Sequence, residues 1–221
     1  MPARRAGGVS FKVQGCELPN VAAEVAAAQT DVRRFVVESG WDESFAARTF
    51  DSVEVFGDQE DLWERILELN QLPSNTPLPT AGLVAALEKR VLVAVCPAEY
   101  LRLNPEYAAG EFSWRRLLAH EIFHRVHVNL LDGNEDAMGP PWFYEGLAVL
   151  AAGQHLDTGL VYHNAAEALA GAQTKAPLAY RRFLAAVRYF TRCASVPELV
   201  AHAGGVGFDA WLKETCTRAR R

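Results

Sequence analysis

In the run Trp114–Val128, WRRLLAHEIFHRVHV, two histidines stand four residues apart with a glutamate directly after the first: His120, Glu121 and His124. On an α-helix, residues four apart lie on one face, one turn above the other, so both imidazoles can address a single cation. Zinc favours neutral imidazole nitrogen, and a carboxylate next to the first ligand sits beside the ion, not in line with it. From there Glu121 can take a proton from a zinc-held water. The same stretch also fits a half-buried helix with two satisfied histidines. Leu117, Leu118, Ile122, Phe123 and Val126 suit a core face in either case.

A loop rich in Gly, Asp and Asn, from Asp132 to Pro141, leads to PPWFYEGLAVLAAG at Pro140–Gly153. Pro141 suits the first turn of a helix, and Leu147, Ala148, Leu150 and Ala151 supply an apolar face. Glu145 lies among apolar and aromatic neighbours, where a charge is costly unless paired or bound to metal. With His120 and His124 it makes a three-ligand catalytic set for Zn2+, with the fourth position left for water.

HEIFH followed by WFYEGLA resembles the gluzincin metallopeptidases, in the branch of aminopeptidase N and the small peptidase MA-like domains. The 20 residues from Arg125 to Tyr144 are close to that family's spacing. The resemblance is strong from Phe112 to Gly153, weaker to Gly205 and faint before Leu78. It implies an α+β, zincin-like metalloprotease fold: a small N-terminal β-sheet, helices packed against an active-site helix, and a helical C-terminal lobe. It also implies His120, His124 and Glu145 as zinc ligands, Glu121 as general base, and a peptide or protein as substrate. Tyr180 falls where family members carry a tyrosine that stabilises the oxyanion, and a packing or capping residue is the other reading. The sequence departs just after it, reading RRF where aminopeptidases have a Glu-Lys-Gly run, and it lacks a GxMEN-like motif to grip a free amino terminus. Aminopeptidase activity is therefore not implied. Two other readings fit the same residues: a zinc-fold binding or scaffold protein without turnover, and a metal-free helical interaction domain. The intact Glu121 favours an enzyme over the first of these.

The chain has 221 residues, 50% of them apolar, and its 22 basic against 27 acidic side chains leave a net charge of −5. Such a chain easily supports a core, as one compact domain or one with two lobes. There is no basic stripe for nucleic acid, and no run of about 20 apolar residues to span a membrane. No apolar segment follows Arg4 and Arg5, so a cytoplasmic protein without a secretory signal is expected. Cys16, Cys96, Cys193 and Cys216 show no CxxC spacing and are expected as reduced, buried thiols, a structural zinc site built from them being the alternative. Nothing in the sequence sets an oligomeric state.

The scaffold around these residues is read from periodicity. The expected division is residues 1–78, a helical and strand segment, and 79–221, the catalytic domain, or else one continuous domain 1–221. A short strand or an unpaired arm is expected at Val9–Gly15, a strand at Ser52–Phe56, and helices at Asn20–Ser39 and Gln59–Leu72. In the second helix Leu62, Trp63, Ile66 and Leu69 form the apolar face, and Glu60, Asp61, Glu64 and Arg65 the solvated side. Leu72–Pro79 is a Pro-rich break, either a linker or a loop. Strands at Gly82–Ala86 and Arg90–Cys96 are expected with a turn near Glu88 and Lys89, although a helix over AALEK competes. The resemblance places the first of these strands at the cleft, where an open edge could pair with peptide backbone; an ordinary core hairpin is the other reading. Arg115 and Arg116 are expected to face solvent. His127 reads as a rim residue or a neighbour of the ligands. Asp157, Asp132, Glu135 and Asp136 are candidates to orient a ligand imidazole. His163 and His202 read as structural. Helices are expected at Asn164–Thr174, Pro177–Cys193, Val196–Ala203 and Phe208–Arg218.

Overall fold

The computed structural model describes residues 4–6, 9–17, 20–79, 83–105, 113–174 and 179–219. The architecture is α+β, with all strands in the N-terminal half and mostly helices after it. The chain forms two compact units: Met1–Asp31 with Ala47–Arg125, and Val32–Ala46 with Val126–Arg221.

The first unit is built on a mixed sheet. Its strands are β1 (Arg4–Ala6), β2 (Val9–Gln14), β3 (Ser52–Phe56), β4 (Ala85–Glu88) and β5 (Val91–Val95), in the order β1-β2-β3-β5-β4. The four strands β2, β3, β5 and β4 form its body, and three-residue β1 extends one edge. β3 runs parallel to both β2 and β5, with Val53 beside Phe11 and Leu92. These central strands are apolar on both faces, Val53, Val55, Leu92 and Val93 all being fully buried, as expected of parallel strands covered on both sides. Strands from both sides of Leu72–Pro79 pair in this one sheet, so that stretch is a loop within the unit.

The AALEK segment is strand, not helix: Ala85–Glu88 pairs antiparallel with β5 and forms the other edge of the sheet. Gly82 lies outside the described residues. The turn joining β4 to β5 is one step later than expected, at Lys89 and Arg90, which both take positive φ, 44° and 68°. Two left-handed residues are what a tight two-residue hairpin requires, because their twist matches that of the strands. Arg90 stays in place through a two-pronged ion pair with Asp51, both contacts 2.7 Å.

α2 (Gln59–Asn70) begins where Asp58 accepts a hydrogen bond from the Asp61 amide and ends at left-handed Gln71. Leu62, Ile66 and Leu67 are buried, while Leu69 is only half-buried. Arg65 is not on the solvated side. It reaches the sheet and grips Glu54 of β3 with two hydrogen bonds of 3.0 and 2.9 Å. The fork supplies hydrogen bonds to a carboxylate that is only 7% exposed.

Three helices begin in this unit: α1 (Val21–Glu38), α3 (Pro97–Leu103) and α4 (Ser113–Leu130). α4 is anchored to the sheet where the Trp114 indole donates to the Val95 carbonyl at 2.7 Å. Arg115 does not face solvent: it is half-buried and donates to Asp31 of α1 at 2.6 Å. Cys16 and Cys96 are free, as expected, and burial followed by its neighbour Cys96 pushes the Cys16 thiol up to about 12.

The second unit is helical: α5 (Pro141–Ala151), α6 (Ala165–Gln173), α7 (Ala179–Phe190), α8 (Val196–Ala203) and α9 (Phe208–Ala219). Phe143, Leu147, Leu184, Phe190, Leu199 and Leu212 fill its core, each 1% exposed or less. Ser195 and Glu198 close a reciprocal capping box at the start of α8. Here one expectation fails. Cys193 and Cys216 are joined by a disulfide, with their Cα atoms 4.9 Å apart. They are 23 residues apart in sequence, and only the packing of α9 beside the end of α7 makes them neighbours. Among the described residues no helix is long and apolar enough to cross a membrane. The disulfide leaves the compartment open.

Two stability measurements test this fold. Replacing both Cys193 and Cys216 by Ala should lower unfolding stability by about 3 kcal/mol in urea titration, the chain-entropy value for a loop of this size. Lys89→Asn should raise stability by about 0.5–1 kcal/mol in the same assay, because Asn tolerates the left-handed region that Lys89 is forced into.

Candidate metal centre

α4 carries the first two candidate ligands. It is buried nearly all round: Leu118, Ala119, Phe123, Val126 and His127 show no exposure, and Trp114, Leu117, Ile122 and Val128 show 6% or less. Its less covered positions include Glu121, His124 and Arg125, all half-buried. A helix of this kind is held by its surroundings on every side, so its side chains have little freedom. His120 is 5% exposed. Its Nε2 lies 3.0 Å from Nε2 of His124, with the rings edge to face.

The third comes from α5. Pro140 and Pro141 start this helix, and Trp142 and Phe143 lock its first turn into an aromatic cluster. Trp142 stacks on Phe208 at 6.1 Å and Phe143 meets the same ring edge-on at 5.2 Å. One turn on, Gly146 lets α5 sit against α7. A Cβ there would stand 2.8 Å from the Phe183 carbonyl oxygen and 2.9 Å from Val187 Cγ2. The buried side of α5 is thus fixed at Trp142, Phe143, Gly146 and Leu147, and Tyr144 and Glu145 fall on the half-open side. Burial, followed by the Glu145 charge, pushes the Tyr144 phenol above its usual range, so it stays protonated beside the carboxylate.

His120, His124 and Glu145 come together: one ligand atom of each lies within 4.8 Å of the others. Two nitrogens bound to one tetrahedral zinc at 2.0–2.1 Å stand about 3.3 Å apart. The imidazole pair is therefore already near ligand spacing. Two imidazoles and a carboxylate make a donor set for a divalent transition metal, and serve zinc and ferrous iron alike. The residues fit such an ion by chemistry and by spacing.

The remaining expected site residues are more scattered. Glu121 is half-buried on α4 and lies outside the His120, His124 and Glu145 cluster. Tyr180 lies in the first turn of α7, 44% exposed, with its ring edge-on to Phe183 at 6.2 Å. His127 is not on a rim. It is fully buried and meets Phe143 edge to face at 6.1 Å, a core contact. Asp132, Glu135, Asp136 and Asp157 are all exposed. His163 is exposed, and its backbone amide donates to Glu167 at 2.8 Å. His202 stacks on Trp211 at 4.0 Å, with Nδ1 2.9 Å from the Glu198 carbonyl, which is a structural arrangement. Sequence reasoning passed over Tyr144; the only signal was its place beside a buried-looking carboxylate.

Untagged protein should hold about one equivalent of zinc by elemental analysis after dialysis. Glu145→Ala should weaken that binding by at least about 100-fold in chelator competition, the upper end of what loss of a mere outer partner costs. Full occupancy in this variant would remove Glu145 from the ligand set. The assignment stands on these side chains by themselves: no protein-family model matches the chain, and no curated protein or solved structure shows significant similarity to it.

Proposed function

We propose that this chain is a zinc-dependent peptidase of the gluzincin type, with His120, His124 and Glu145 as ligands and Glu121 as general base. The observation that carries the reading is the convergence of the two imidazoles and the Glu145 carboxylate within 4.8 Å. Bound there, zinc supplies a Lewis acid that makes water nucleophilic near neutral pH and polarises a carbonyl. Zinc is preferred to ferrous iron because a carboxylate, Glu121, directly follows the first ligand. That is the arrangement hydrolysis uses, and an iron oxygenase has no need of it.

Each remaining role belongs to a residue of this chain. Glu121 accepts the proton of the attacking water and returns it to the departing amine. Its neighbours Ile122 and Phe123 are buried and hold its stretch of α4 still. Tyr180 is the candidate hydrogen-bond donor to the oxygen that gains charge as water adds to the carbonyl. Its 44% exposure leaves the phenol accessible to a substrate. The Tyr144 phenol, kept protonated beside Glu145, is a donor that can steady the carboxylate. β4 lies at the edge of its sheet, and an edge strand can pair with an extended peptide through backbone hydrogen bonds.

The test is a peptide-library digest with metal content measured in parallel. Glu121→Gln should keep its zinc and lose at least about 100-fold in kcat, since a general base contributes roughly that much or more. Undiminished cleavage by that variant would overturn the assignment. A zinc-replete wild type that cleaves no peptide would favour a binding protein.

A further inference from the structure

The helical unit has a second place where chemistry is concentrated, independent of the metal ligands. A cavity of about 500 Å³ is bounded by the chain around Thr158–Tyr162, by α6 and by the first turn of α7. That size suits a small organic ligand.

Two arginines, Arg181 and Arg182, line it. Among the described residues neither is in an ion pair, whereas Arg65, Arg90, Arg102 and Arg115 all are. Both lie in the first turn of α7, which contains no acidic side chain. The positive end of a helix dipole disfavours cations and favours an anion. Two arginines placed there weaken the helix unless something negative joins them. Among the described residues the one carboxylate in the wall, Glu167, is already engaged. It accepts from the His163 amide at 2.8 Å while its own amide donates to Asn164 at 2.9 Å, closing the start of α6. It offsets one of the two positive charges, so the described lining residues keep an excess of one.

A phenol completes the polar side. Tyr162 is 7% exposed and lines the same cavity. A Cβ at Gly171 would overlap its hydroxyl, so the absence of a side chain on α6 is what gives the ring its place. No hydrogen bond to that hydroxyl is made by the described residues. Burial pushes the phenol up and the Arg182 charge pulls it partly back, so it stays a donor. The lining also has apolar members, Leu160, 40% exposed, and Ala170.

We propose that this cavity binds a small oxyanion carried on an apolar body, a carboxylate or a phosphate monoester. The guanidiniums of Arg181 and Arg182 and the Tyr162 hydroxyl take the oxygens. Leu160 and Ala170 take the apolar part. An arginine fork matches both kinds of head group, so the two share one recognition chemistry.

The experiment is calorimetric titration of the full, untagged chain with hexanoate, hexyl phosphate, inorganic phosphate and 1-hexanol. Saturable binding of hexanoate or hexyl phosphate is expected, and the tighter of the two identifies the head group. Arg181→Gln with Arg182→Gln should weaken it by at least about tenfold, and Tyr162→Phe by about threefold. Arg181→Lys with Arg182→Lys keeps the charge but loses the fork, and should weaken binding by at least about threefold, which covers the case of a misfolded Gln variant. The proposal is overturned if neither organic anion saturates by about 10 mM, a Kd too weak for a built site. It is equally overturned if the arginine variants bind as the wild type does, or if 1-hexanol or inorganic phosphate binds as tightly as the organic anions.

Discussion

The rest of the structure depends on one close approach, 3.0 Å between the Nε2 atoms of His120 and His124 on a helix with hardly any solvent around it. Two imidazoles at that distance cannot both carry a proton toward each other. They either share one or turn their lone pairs to a common cation. An exposed helix would let the rings swing apart at small cost. On α4 His120 is 5% exposed, and a rotamer change of that ring would open a void or force a clash, while His124 is half-buried. Packing thus helps turn a spacing of four residues into a close pair of candidate ligands. Glu121 and His124 stand at half-open positions of the same helix.

Each ligand-bearing helix is braced within its own unit by interactions unrelated to metal. For α4 these are the Trp114 indole on the Val95 carbonyl and Arg115 on Asp31. Both act on its first turn, ahead of the histidines. For α5 they are the aromatic cluster of Trp142, Phe143 and Phe208 and the contact of Gly146 with α7. Gly146 follows Glu145 directly, so the absence of a side chain at one position decides which way the next points. The disulfide of Cys193 with Cys216 ties α9 to the end of α7 and so stiffens the helices behind α5.

Charge is handled differently in the two halves of the molecule. In the sheet unit the partly buried carboxylates Glu54 and Glu99 each meet an arginine fork. In the helical unit Arg181 and Arg182 form no ion pair among the described residues although they stand at the positive end of α7. Charges left in that condition are a stability cost in the free protein, and ligand sites commonly carry such a cost.

The local features were legible in the amino-acid sequence. Periodicity and capping depend on neighbours within one turn, so α1, α2, α6, α8 and α9, and strand β3, stand within a few residues of where the pattern puts them. The His120–His124 pair was legible for the same reason. Glu145 could be singled out because a carboxylate amid WFY and LAVL demands a partner, although what partner was a matter of folding. Tertiary structure alone decided everything that joins distant residues. Arg65 and Arg115 read as solvated because their partners lie 11 and 84 positions away. Cys193 and Cys216 read as separate thiols because helix packing, not spacing, brings them together. The cavity at Tyr162, Gly171, Arg181 and Arg182 has no sequence signature, since its walls come from a loop and two helices whose meeting is fixed by the burial of their other faces. Short-range geometry is written into the order of residues; which surfaces meet is settled only when the whole chain hides its apolar area at once.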